Sequence, residues 1–302
     1  MELGMAGLGK MGANMTERLV RGGHRVVGFA RTPATVDAVV QKGAVGAHSL
    51  AEMVQKLTAP RVVWLMLPSG DTVDQTLAQL RPLLAPGDLI VDGGNSYYRD
   101  TLRRSALVTS WGFHYVDVGT SGGIWGLQEG YSMMVGGADA DVERIRPILE
   151  TLAPAADRGW GHMGPVGSGH FVKMVHNGIE YGMMQAYAEG FAILQAKSEF
   201  ALDLHQVALV WRYGSVVRSW LLELTESALA DNPTLAGIAP WVVDSGEGRW
   251  TVTEAMDLNI PAPIITLSLQ QRLRSREQDP FTERLLAMMR NKFGGHDIKK
   301  EP

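Results

Sequence analysis

The residues that most constrain this chain stand at its start. Residues 1–6 form a short apolar run, Gly7-Leu8-Gly9-Lys10-Met11-Gly12 follows at once, and 11–21 has the period of a helix closed by Gly22-Gly23. A G-x-G-x-x-G turn between a strand and a helix is a nucleotide cradle. The first glycine permits the tight turn, the second lets a pyrophosphate approach the backbone, and the third lets helix and strand pack closely. The helix start adds free N–H groups and a positive dipole end. Gly7, Leu8, Gly9, Lys10, Met11 and Gly12 are therefore the first cofactor-binding candidates.

The following residues repeat the strand–helix alternation. Apolar runs at 25–29, 61–67, 89–91, 113–118 and 131–135 alternate with helical patterns at 33–41, 71–84 and 97–108. This predicts βαβ units and a parallel sheet. Near Gly164 the pattern changes: 166–197 lacks proline, and 204–213, 216–231, 251–259, 262–276 and 282–291 all read as helices. The expected architecture is an α/β Rossmann-type doubly wound sheet over residues 1–164, followed by an all-α helical domain over 165–302. The length of 302 residues suits two such domains. Trp64 and Trp220 read as packing residues, and His162 has no functional case.

Composition removes several classes. Cysteine is absent, which excludes disulfides, thiolate catalysis and Cys-ligated metals. The eight histidines show no metal-ligand spacing, so no metal is expected. A net charge of −4 gives no footprint for nucleic acid or an anionic membrane. No apolar run approaches the length of a membrane span, and the expected location is cytoplasmic.

The end of the second strand bears on the choice of cofactor. An NAD enzyme usually places Asp or Glu there, on the ribose hydroxyls. Here Ala30 is followed by Arg31-Thr32, and the nearest acid is Asp37. Arg31 is able to pair with a 2′-phosphate, which favours NADP and leaves NAD open. Arg31, Thr32 and Leu67, at the end of the 61–67 strand, join the cofactor set.

A second constellation follows Gly169. Lys173, His176, Asn177 and Glu180 fall at spacings of three, four and seven, on one helical face. The same stripe would suit a solvated face or a structural Lys–Glu pair, or a general base and a general acid facing one cleft. A lysine works as a base when burial or cations lower its pKa, and a carboxylic acid donates when its pKa is raised.

At these residues the chain resembles 6-phosphogluconate dehydrogenases of the decarboxylating, short-chain form, within the β-hydroxyacid dehydrogenase superfamily. The resemblance rests on residues 7–14, DGGNSYYRDTLRR (92–104), TSGG (120–123) and GHFVKMVHNGIEYG (169–182). It implies oxidative decarboxylation of 6-phospho-D-gluconate to D-ribulose 5-phosphate and CO2, with hydride transfer to NADP or NAD. Lys173 would be the base and Glu180 the acid, with His176 and Asn177 orienting the sugar. Ser121, Gly122 and Gly123 would hold the carboxylate end, and Asn95 would lie between cofactor and substrate. Tyr181 and Arg272 match the family's phosphate contacts. RNKFGGH (290–296) resembles its C-terminal tail, which implies that Arg290 and His296 act in the neighbouring subunit of a homo-oligomer, a dimer or tetramer. The loop at 244–250 departs from the family: its phosphate-binding lysine has no counterpart, and Arg249 is the candidate substitute.

Two other functions stay open at this point. One is a non-decarboxylating β-hydroxyacid dehydrogenase for a small acid, which would not require Glu180-Tyr181 or the tail. The other is a non-catalytic NADP-binding sensor, for which an acid–base pair has no use. An imine reductase of similar architecture fits less well, because those often replace the lysine.

Overall fold

The computed structural model describes residues 1–278, 280–295 and 297–299, the side chain of Phe293 excepted. The chain divides into two units, residues 1–177 and 178–302. The first opens with β1 (Glu2–Ala6), α1 (Lys10–Arg21), β2 (Arg25–Phe29), α2 (Pro33–Val40), β3 (Val45–Ala47) and α3 (Leu50–Gln55). It continues with β4 (Val62–Leu65), α4 (Asp71–Leu80), β5 (Leu89–Asp92), α5 (Tyr98–Ser110) and β6 (His114–Ser121). It ends with α6 (Gly126–Glu129), β7 (Ser132–Gly136), α7 (Asp139–Leu152), β8 (Trp160–Gly164) and the first turns of α8 (Ser168–Ala196).

All eight strands form one sheet in the order β3-β2-β1-β4-β5-β6-β7-β8. Neighbours run parallel except β6 and β7. The order reverses between β1 and β4, and ligands of doubly wound sheets bind outside the strand ends at such a point. Strands such as VVWL of β4 are buried throughout, as expected of a sheet covered on both faces. Met15, Leu19, Ile145 and Leu149 from α1 and α7 pack on one face. Met53, Leu77 and Val108 from α3, α4 and α5 pack on the other.

The second unit holds the rest of α8, then α9 (Leu204–Trp211), α10 (Trp220–Asp231), α11 (Glu247–Asp257), α12 (Pro263–Arg274) and α13 (Phe281–Gly294). Phe191, Ala208, Leu222 and Leu229 form a small core there. No helix among the described residues is long and apolar enough to cross a membrane.

The doubly wound sheet followed by helices agrees with the expected class, but several elements differ from the sequence reading. The reading has no counterpart for β3, α3, α7 or β8. β3 spans only three residues, with Gly46 at its centre. α7 contains Pro147, which normally argues against a helix. Pro147 lies on the solvent-exposed side of α7, away from its buried face. β6 runs on to Ser121, three residues past the expected end. α10 starts at Trp220 instead of residue 216, because Ser219 Oγ accepts the Leu222 N–H at 3.1 Å and caps it there. Trp64 is fully buried, as expected of a packing residue, whereas Trp220 is 46% exposed and is not a core residue of its own chain.

Candidate active site

The glycine cradle has the geometry its sequence requires. Gly7 sits at φ +103°, and its N–H donates to Phe29 O at 2.9 Å. A Cβ on Gly12 would lie 2.0 Å from Gly7 O, so only glycine lets α1 start there. Nothing lies within 4 Å of where a Cβ on Gly9 would stand, which leaves the backbone open to a ligand. The first turn of α1 carries no acid. This cradle fits a dinucleotide pyrophosphate. Leu8 is buried against Gly28 of β2, so only its backbone faces outward. Lys10 is exposed and Met11 half-buried. Arg31 and Thr32 lie exposed just past β2, and Thr32 caps α2 without a side-chain bond.

Leu67 and Asn95 occupy the next two strand ends. A Cβ on Gly94 would lie 2.6 Å from Leu67 O, so the DGGNS turn lies flat against the residues after β4. Asp92, fully buried, holds that turn: Ser96 Oγ donates to its Oδ2 at 2.9 Å and Tyr115 OH donates to it at 3.1 Å. Arg104, also fully buried, donates to both oxygens of Asp74, at 3.1 and 3.0 Å, and to Gly70 O at 2.9 Å. Asn95 sits between Gly94 and Ser96, both bonded to Asp92.

β6 ends at Ser121, where Gly122 and Gly123 turn at φ +126° and +53°. The Tyr131 ring fills the space beneath, and burial pushes its hydroxyl up to about 12. On α8, Lys173 is 6% exposed, and its Nζ donates to Asn177 Oδ1 at 2.6 Å. His176 Nδ1 lies 3.4 Å from Lys173 Nζ and 3.0 Å from Asn177 Oδ1. The stem of Lys173 lies against Gly119, two residues before Ser121. The predicted base and its two polar neighbours are thus brought together within the first unit, against β6 at Gly119, the residue before the TSGG segment. An amine with so little exposure and a short bond to an amide oxygen is a group held in one orientation.

The second unit assembles another group. Tyr181 is 4% exposed, and the Arg272 guanidinium stacks on its ring 3.4 Å from the centroid. Arg272 Nη1 donates to Val243 O at 3.1 Å, and Tyr181 OH lies 3.3 Å from Ser245 Oγ. A Cβ on Gly248 would lie 2.4 Å from the Tyr181 ring. Arg249 forms an ion pair with Asp244, and Ser245 Oγ donates to the buried Glu247. Ser245 and Glu247 therefore sit beside Tyr181, where sequence reading singled out Arg249 alone. Glu180 is half-buried on α8, and Arg290 is exposed on α13. His296 lies outside the described residues.

A glycine cradle at the switch point of a doubly wound sheet, with a buried amine held on a helix of the same unit, is the arrangement of a nucleotide-dependent dehydrogenase, an oxidoreductase. Residues 2–161 match the NAD binding domain of 6-phosphogluconate dehydrogenase, and residues 169–292 match the 6-phosphogluconate dehydrogenase C-terminal domain. The chain belongs to the 6-phosphogluconate dehydrogenase family. It is 43% identical over 302 residues to an NAD(+)-dependent, decarboxylating 6-phosphogluconate dehydrogenase of Haloferax volcanii, covering 100% of this chain and 99% of that one. It is 37% identical over 287 residues to an NADP(+)-dependent, decarboxylating form of Bacillus subtilis, covering 91% of this chain and 61% of that one. A solved structure of Plasmodium falciparum 6-phosphogluconate dehydrogenase, studied with NADP+ and with 6-phosphogluconate, aligns with TM-score 0.84 and 29% identity. It covers 100% of this chain and 67% of that one.

Proposed function

We propose that this chain catalyses the oxidative decarboxylation of 6-phospho-D-gluconate to D-ribulose 5-phosphate and CO2. The observation that carries this reading is the buried Lys173, bonded to Asn177 at 2.6 Å in a chain of this family. Residues 1–164 serve as the dinucleotide-binding domain and 165–302 as the substrate domain. Gly7 to Gly12, Arg31, Thr32, Leu67 and Asn95 hold the cofactor. Held there, a nicotinamide would supply the acceptor for the hydride that leaves C3 of the sugar acid. Lys173 takes the C3 hydroxyl proton, leaving a ketone β to the carboxylate. That ketone accepts the electron pair released as CO2 departs, and its oxygen takes back the proton that Lys173 holds. Glu180 then delivers a proton to C1 of the resulting enediol.

His176 and Asn177 orient the sugar hydroxyls, and Ser121, Gly122 and Gly123 hold the carboxylate end. Tyr181, Arg249 and Arg272 serve the phosphate, the cations as its partners. Arg290 and His296 complete the phosphate site of a neighbouring copy, so the working form is a homo-oligomer in the cytoplasm. Arg31 favours NADP, with NAD as the alternative that the Haloferax relative uses.

The test mixes purified protein with 6-phosphogluconate and either cofactor, following reduced nicotinamide and CO2 together. Equal amounts of both, reduced by about 10²-fold or more in Lys173→Ala, are expected. Arg31→Ala is expected to lower the NADP-to-NAD efficiency ratio by about tenfold, one charge-assisted contact. Reduced cofactor without CO2 would replace this reading with a non-decarboxylating dehydrogenase.

A further inference from the structure

Two residues of β6 are out of place in a buried strand. Asp is depleted in strands, and a glycine inside one weakens it unless another backbone approaches closely. Side chains alternate along a strand, so Asp117, Gly119 and Ser121 share one face of β6. The start of α8 meets the first two. Asp117 Oδ1 accepts the Gly167 N–H at 2.6 Å, and its Oδ2 accepts the His170 N–H at 2.8 Å. Those amides belong to the entry and first turn of α8, where helices leave donors unsatisfied and the dipole is positive. A Cβ on Gly119 would lie 2.3 Å from Lys173 Cβ and 2.8 Å from Gly169 O.

The contact is tight from the other side as well. A Cβ on Gly169 would lie 2.4 Å from Met134 O of β7, and one on Gly136 would lie 2.5 Å from Asp117 Oδ1. His170 is 1% exposed, and its Nδ1 lies 2.7 Å from Thr101 Oγ1 on α5 and 3.9 Å from Asp117 Oδ2. The turn of α8 before Lys173 is therefore bonded to β6 through Asp117 and to α5 through His170.

We propose that Asp117 and Gly119 are positioning residues for Lys173: Asp117 pins the entry of α8 by two backbone amides, and Gly119 sets how deep the lysine stem seats. A buried carboxylate is costly unless it is hydrogen-bonded, and here each oxygen accepts one amide of the helix entry. The consequence for rate is large, since a displacement of about 1 Å at a reacting group costs about 10²-fold. The proposal rests on the reading of Lys173 as the base.

The test is a double-mutant cycle on the full-length protein, with Asp117→Asn made alone and on a Lys173→Ala background. The amide keeps one accepting oxygen and turns a donor toward the other N–H. Cofactor affinity, measured by fluorescence titration, is expected to change by less than about threefold. The kcat of Asp117→Asn is expected to fall about 10- to 100-fold, with no further loss on the Lys173→Ala background. The same fold-loss in both backgrounds, or a parent-like kcat, would overturn the proposal. If Asp117→Asn does not fold, Gly119→Ala enters the same cycle with the same expected result, and a parent-like kcat there overturns it too. Parent-like turnover in Lys173→Ala alone would instead sink the reading of Lys173 as the base.

Discussion

Asp74 and Asp92 both contact one guanidinium, that of Arg104, from different depths. Asp92 is buried with Arg104 Nη1 3.9 Å away, while Asp74 is partly exposed and takes the direct bonds. Hydrogen bonds from Arg104 first, and from Arg103 as well, hold the Asp74 carboxyl at about 2, against an ordinary 3.8. A carboxyl lowered on folding stabilises the native state above its unfolded value, and that contribution is lost as pH falls through the folded value. Asp74→Asn is therefore expected to lower the melting temperature fully above about pH 5, with the gap to the parent closing from about pH 4 toward pH 2. A gap of constant size across that range would contradict the assignment. Lys173, His176 and Asn177 were legible as residues because helical spacing alone places them on one face. Asp117 was not, because its partners are backbone amides fifty residues and more away, which no side-chain pattern records. Ser245 and Glu247 were not legible, because a phosphate site calls for cations, whereas these two side chains are a hydroxyl 3.3 Å from Tyr181 OH and the carboxylate it bonds.

Among elements, those with strong local signals were readable and those held by tertiary packing were not. β1, α1 and β2 follow from apolar runs punctuated by glycine. α7 had a readable face, with Val142, Ile145, Ile148, Leu149 and Leu152 all buried, but Pro147 masked it. β3 and β8 are an edge pair, each bonded to only one neighbour, and carry Gly46, Gly161 and Gly164 where a strand pattern needs apolar residues. The N-terminal limit of α10 rests on one hydroxyl, and Ser219 also bonds Tyr187 OH at 2.9 Å. Ser219→Ala is expected to cost about 1 kcal/mol of stability, measured as a lower urea midpoint with an unchanged slope. No change in midpoint would mean the cap is replaced by water.

At the scale of the whole molecule, the question is how many copies make one working site. The helical unit exposes large apolar side chains, among them Ile193 at 71%, Ile238 at 69%, Ile264 at 65% and Phe281 at 70%. These are side chains that the proposed homo-oligomer would cover. If Arg290 serves a neighbouring copy, Lys173→Ala and Arg290→Ala chains, each nearly inactive, regain activity when co-assembled. In a dimer each mixed pair then holds one intact site, so a random mixture is expected to reach about a quarter of parent activity. Activity that stays at the sum of the two variants would show that Arg290 acts within its own chain, or not at all.

α8 passes unbroken from the first unit into the second. At 1.5 Å per residue its 29 residues make a rod of roughly 44 Å. Lys173 and Glu180 are both marks on that rod, so the pitch of the helix sets their spacing, as on a ruler. A single residue inserted between them would swing Glu180 by about 100° off the shared face. If both residues serve one reaction as proposed, a one-residue insertion or deletion between 173 and 180 is expected to abolish turnover while leaving the helix itself intact.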